Sequence, residues 1–160
     1  MNLQQVIDYW IKPALSYFPK ELQTPNRVQF MLAIGLIESG YRAVAQIPNP
    51  FALGFWQMER ETFNDCIDNF LNYEKEFTDE WKLLHLNHTP LYSALTYDCV
   101  LACYMAAIKV YRAPDALPEF NDFLKMVEYW KKYYNASPNG LTIVEAMERI
   151  LPIMNNEFNY

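Results

Sequence analysis

Two Thr-Pro pairs, Thr24-Pro25 and Thr89-Pro90, each stand directly before an apolar run with helical spacing. Threonine can cap the free amides of a first helical turn, and proline suits the first helical position because its missing N–H would find no partner there. Thr142 opens a third such run through Ile150. Gly40 is a natural stop for the first run, and Ala113-Pro114 and Leu117-Pro118 stop and restart the chain later. Apolar residues recur at three- and four-residue intervals, and no convincing set of alternating strands emerges. The expectation is an all-α chain. Its 160 residues suit a single domain spanning 1–160, large enough to bury a core. With 52% hydrophobic residues, 16% aromatics and no internal repeat, it is neither disordered nor a solenoid.

In chain order, residues 1–23 hold an N-terminal helix, Leu3 to Phe18, with Val6, Tyr9, Trp10 and Leu15 facing inward. Pro13 should kink or split it. The Thr24-Pro25 helix runs to about Ser39, and Thr62 to Glu74 forms the next, with Phe63, Cys66, Ile67 and Phe70 on one face. A short helix surrounds Trp81 between Thr78 and Leu86. The most apolar helix runs from Thr89-Pro90 to about Arg112, and Asp98 within it must be paired or wet. It either bonds a backbone group or orients a cleft residue. Glu119 to Tyr134 follows, and residues 155–160 read as a frayed polar tail.

The net charge of -6 is concentrated. Between Glu59 and Glu80 lie eight acidic and two basic residues, and the remainder balances. Such a chain is unsuited to phosphate contacts, so nucleic acid is not an expected partner. It also gains nothing from long-range attraction to anionic cell walls. The apolar window Leu91 to Tyr111 contains Asp98 and fits a buried helix better than membrane insertion. The N-terminus lacks a basic region and a small-residue cleavage site, so the expectation is synthesis in a bacterial host cytoplasm without a signal peptide. Cys66, Cys99 and Cys103 are odd in number and suit reduced, structural thiols. His85 and His88 lack a third ligand at metal-like spacing, so neither a metal nor another cofactor is expected.

The stretch that carries chemistry is Ala33 to Thr62. A buried helical run ends in Glu38-Ser39-Gly40, a Pro-broken loop follows, and Gly54-Phe55-Trp56-Gln57 sets one amide among aromatics. Desolvation disfavours an ionised carboxylate and raises its pKa, as a general acid working near neutral pH requires. Alternatively, Glu38 caps a helix as it emerges into solvent. A loop as long as Tyr41 to Leu53 in a small domain is more often functional than idle. Tyr41, Phe51, Phe55 and Trp56 are either stacking surfaces for sugar rings or core filler. Gln57 needs hydrogen-bond partners in such surroundings. Glu59, Glu61 and Asp65 either supply a second carboxylate, Glu59 first among them, or form a solvated face.

Glu38-Ser39, then Gly54 to Gln57, then Thr62 resembles the lysozyme-like superfamily in its lytic-transglycosylase branch, and compact phage and prophage members in particular. Ala94-Leu95-Thr96-Tyr97-Asp98 is similar to the start of the central helix in those phage proteins. Tyr134-Asn135-Ala136 followed by Pro138 is similar to an Ala-Tyr-Asn-Ala-Gly-Pro motif of transglycosylases. Arg60 and Ser137 depart from the usual Pro and Gly. The resemblance covers roughly Arg27 to Glu145. It implies a compact lysozyme-like, goose-type helical domain with a substrate cleft.

In that cleft Glu38 would be the catalytic acid/base, and Ser39, Gln57, Tyr134, Trp56 and Tyr41 would bind substrate. The implied reaction cleaves the β-1,4 bond between N-acetylmuramic acid and N-acetylglucosamine in peptidoglycan glycan strands. A transglycosylase needs only one essential carboxylate, whereas a hydrolase needs a second at a defined separation. The competing expectation is a catalytically weak or inactive module of the same fold that contacts phage virion, tail, lysis or host proteins. An intracellular adaptor using the acidic face is a third. A wall-degrading role would need delivery by a virion, a holin or an injection step.

Overall fold

A computed structural model describes residues 1–45, 51–84, 90–156 and 158–160. The chain is mostly helical, 62% helix against 3% strand. Helix α1 spans residues 3–15, where a wide π turn at Ile7–Ile11 joins Leu3–Val6 to Lys12–Leu15. Helix α2 is Pro25–Glu38. A two-stranded antiparallel hairpin follows, β1 (Ala52–Leu53) on β2 (Met58–Glu59), pairing Ala52 with Glu59 and Leu53 with Met58. Helix α3 covers residues 60–71 as Arg60–Cys66 and a π turn Ile67–Leu71. Then come α4 (Lys75–Leu84), a 3₁₀ segment Tyr92–Thr96 and α5 (Cys99–Tyr111). Helix α6 covers residues 123–134, Phe123–Tyr129 plus a third π turn Trp130–Tyr134, and α7 is Ile143–Met154.

The core is built on α2 and α5, with α1 packed against both. Arg27 through Ile37 are all buried, as are Leu101 through Ile108. A helix apolar on every side must be enclosed by others, and these two are. Gly35 adapts α2 to its surroundings: a Cβ there would come within 2.3 Å of the Tyr41 ring carbon Cζ. The Tyr41 ring occupies that space, and its backbone takes a left-handed φ of 54° to reach it. At the other end of α2, Arg27 is buried, with its guanidinium 5.7 Å from the Phe18 ring and 6.0 Å from that of Tyr111. Its Nε and Nη1 make no hydrogen bond among the described residues.

Several sequence expectations need correction. Pro13 does not end α1, but the α geometry is interrupted just before it by the π turn Ile7–Ile11, and Pro13 falls in the first turn of the α segment that follows, where its missing N–H is tolerated. Tyr9 points outward, 68% exposed, while Ile7 and Ile11 lie in the core. The long apolar helix does not begin at Thr89-Pro90. Thr89 lies outside the described residues, and Asp98 starts α5 as its N-cap, its Oδ1 accepting from the Leu101 amide at 2.8 Å. Asp98 therefore bonds backbone. The hairpin was not foreseen. The tail is docked: Asn159 O accepts from Lys12 Nζ at 2.7 Å, and Asn159 N donates to Gln4 Oε1 at 3.0 Å.

Thr142 does cap α7, through a reciprocal capping box with Glu145. All three cysteines are free thiols, and burial pushes each one up from its ordinary pKa. Among the described residues no helix is long and apolar enough to cross a membrane.

Candidate functional site

Glu38 is the last residue of α2 and is half-buried. Its Oε1 accepts from Trp130 Nε1 at 2.8 Å and from Asn135 Nδ2 at 3.3 Å. Both donors come from the end of α6, on either side of the π turn Trp130–Tyr134, whose wide geometry includes the Asn135 amide donating to the Trp130 carbonyl at 2.9 Å. Among the described residues nothing donates to Oε2. Burial raises the Glu38 pKa above its ordinary value, and the two hydrogen bonds, with Lys109 and Arg149 nearby, hold it back only in part. One oxygen is thus fixed as an acceptor, and the other is the place for a proton. A carboxyl held in this way can carry a proton on its free oxygen, which is what a general acid requires.

The surrounding side chains come from two further helices. Lys109 of α5 donates to the Tyr134 carbonyl at 2.7 Å, and its ammonium lies 4.1 Å from the Tyr134 ring centre. Burial lowers the Lys109 pKa, while Glu38 and Glu59 oppose that. Arg149 of α7 donates through Nη1 to the Ile37 carbonyl at 2.6 Å, satisfying one of the free carbonyls at the end of α2. Gly140 leaves room for Asn135, since a Cβ there would stand 2.6 Å from Asn135 Oδ1.

The residues singled out in the sequence gather here, in roles that differ from those expected. Ser39 ties the end of α2 to the hairpin, its hydroxyl 2.7 Å from the Phe55 carbonyl and accepting from the Tyr41 amide at 3.1 Å. Gln57 takes a left-handed φ of 47° and donates to the Gly54 carbonyl at 2.7 Å and to that of Ala43 at 3.4 Å. Its amide therefore braces the hairpin, while its side-chain oxygen accepts nothing from the described residues. Tyr134 is buried, and its hydroxyl donates to the Trp56 carbonyl at 2.7 Å instead of to Glu38. Burial and the nearby Glu38 hold the Tyr134 pKa well above its ordinary value.

Trp56 and Tyr41 cannot serve as sugar-stacking surfaces. Trp56 is fully buried, its indole N–H donating to the Met31 carbonyl at 2.9 Å, and Tyr41 fills the notch at Gly35. Phe55 stacks on Trp10 at 5.3 Å, whereas Phe51 is exposed. Glu59 is exposed at the end of the hairpin, within electrostatic reach of Lys109 and Tyr134. Asp65 is ion-paired with Arg112, and Arg60 lies over the Tyr92 ring at 4.5 Å.

Reading the sequence missed Trp130, Lys109 and Arg149. No local signal marks them, because they lie far from Glu38 in sequence and only the packing of α5, α6 and α7 brings them near. Gln46, the prolines of the loop, His85 and His88 lie outside the described residues. Among the described residues no cluster of His, Cys, Asp and Glu could hold a metal ion. No family model, curated protein or solved structure matches the chain.

Proposed function

We propose that this chain is a lysozyme-like, peptidoglycan-cleaving lytic transglycosylase with Glu38 as its single acid/base. The observation that carries this reading is the state of Glu38: a carboxyl of raised pKa at a helix end, with two donors on one oxygen and the other oxygen open. The proton on Oε2 goes to the glycosidic oxygen as the β-1,4 bond breaks. The same oxygen then takes the proton of the muramoyl C6 hydroxyl as that oxygen attacks C1, forming a 1,6-anhydro ring. Glu38 ends as it began. Lys109 and Arg149 steady the carboxylate between the two transfers. Gln57 offers its free side-chain oxygen to a sugar hydroxyl or N–H, and Phe51 supplies the exposed ring that Trp56 and Tyr41 do not.

The test is a digest of purified peptidoglycan read by mass spectrometry. Wild type should release anhydro-muropeptides and Glu38→Gln should release none. Equal release by both would remove Glu38 from the mechanism, and reducing-end products would point to hydrolysis with Glu59 as the second carboxylate.

A second reading is favoured by the Tyr134 hydroxyl, which is spent on the Trp56 carbonyl, and by the burial of Trp56 and Tyr41. On that reading the same scaffold is a phage virion, tail or host-interaction module without turnover. A folded wild type that releases no product would select it.

A further inference from the structure

Beside the C-terminal end of α2 lies a cavity of about 390 Å³, lined by Leu36, Ser39, Gly40, Arg42, Arg149 and Ile153. Its chemistry is two-sided. Leu36 and Ile153 give it an aliphatic wall, and two guanidinium groups give it positive charge. The two arginines are not equivalent. Arg149 is committed to the Ile37 carbonyl and lies within electrostatic reach of Glu38 and Glu145. Arg42 is exposed, and its side chain makes no hydrogen bond or ion pair among the described residues. Ser39 and Gly40, which follow Glu38 in the chain, form part of its lining, and Arg149 lies within electrostatic reach of both the cavity and Glu38.

We infer that this cavity is a subsite for a short aliphatic carboxylate on the substrate, with Arg42 as the residue that selects it. The inference rests on the peptidoglycan reading, which supplies two sources of that chemistry. One is the lactyl group of muramic acid where the stem peptide has been removed, because the attached peptide ties that carboxyl up as an amide, and the other is the alanine end of the stem peptide. Each pairs a carboxylate with a methyl group, matching Arg42 and the Leu36–Ile153 wall. A guanidinium recognises a carboxylate through paired N–H donors, and a neutral amide cannot replace that acceptor.

The experiment is isothermal titration of wild type, Glu38→Gln and Arg42→Ala with acetyl-D-alanyl-D-alanine, with its C-terminal amide, and with N-acetylmuramic acid beside its methyl ester. A free acid should bind about tenfold or more tightly than its neutral partner, the difference expected when a charge-assisted hydrogen bond is lost. Arg42→Ala should bring the acid down to the level of the neutral form. Preference for the dipeptide assigns the stem peptide, and preference for N-acetylmuramic acid assigns the lactyl group. Equal binding of acid and neutral forms, no binding of either acid, or an unchanged Arg42→Ala would overturn the subsite. Ile153→Trp, which fills the cavity, should abolish binding, and retained binding would place the ligand elsewhere. The two readings separate cleanly. Acid-selective binding without glycan cleavage sinks the glycosidase and keeps the subsite, and cleavage without acid selectivity does the reverse.

Discussion

The two ends of α2 pose the same electrostatic problem and solve it differently. Arg27 lies in the first turn and Glu38 in the last, so a cation sits at the positive end of the helix dipole and an anion at the negative end. Both are withdrawn from water. Arg27 cannot give up its charge at any working pH, so it stays a cation between the Phe18 and Tyr111 rings, whose faces attract it. Glu38 can escape by binding a proton, and its raised pKa is that escape. A fixed charge buried against aromatics is a structural element. A buried charge that can be switched off is a chemical one.

Substitutions at the two ends should separate these roles. The largest effect belongs to Glu38→Gln, which should lower the rate of glycan cleavage by on the order of 10²–10⁴ while the fold persists. Arg27→Met should leave any cleavage unchanged and hold stability level or raise it by about 1–4 kcal/mol, as replacement of buried charges by apolar groups often does. Chemical denaturation would show it, and a marked loss of stability would mean that the aromatic faces do more for Arg27 than its desolvation costs. Gly140→Ala should cost about 1–3 kcal/mol by crowding Asn135, with a further rise in the Glu38 pKa as that donor moves off.

Trp130→Phe should have the smallest energetic signature at the carboxyl, but a definite sign. Removing the indole N–H removes an influence that lowers the Glu38 pKa, so the titration followed by carboxyl NMR should move to higher pH. The same raised pKa sets a stability trend. A carboxyl that holds its proton more tightly when folded gives up stability as pH rises from the ordinary value of 4.5 through the raised one. Thermal melts of Glu38→Gln and wild type should therefore diverge between pH 4 and pH 7, with the variant gaining. A gap that stays constant would mean that folding does not raise the Glu38 pKa.

Some helix starts and stops were legible because they are written in adjacent residues, although α3 opens at Arg60 and not at Thr62, and α6 at Phe123 and not at Glu119. Thr142 and Glu145 form their capping box, Pro25 opens α2, and Gly40 follows its end. Glu38 was legible for the same reason. The hairpin was not, because two strands of two residues leave no alternation to read. The start of α5 was misplaced although its signal was present: an aspartate before an apolar run is a good N-cap, but Asp98 was read as part of the helix. Asn135, 97 positions from Glu38, entered only through its motif, with no bond to Glu38 expected, and Trp130, 92 positions away, carries no local signal at all. Trp56 and Tyr41 show the converse error. Aromatics beside a carboxyl look like a binding surface until burial shows that they build the wall behind it.

The π turn at Trp130–Tyr134 gives the site an unusual dependence on counting. Such a turn arises when one residue is added to an α-helix without lengthening the rest of the fold. Deleting one residue from it would restore regular α geometry, and the Asn135 amide would lose its wide-turn bond to the Trp130 carbonyl. Trp130 holds Glu38 from the first position of the turn, while Tyr134 and Asn135 at its far end supply the strut to Trp56 and the second donor to Oε1. The inserted residue thus sets the spacing at which two donors from one helix end meet on a single carboxyl oxygen.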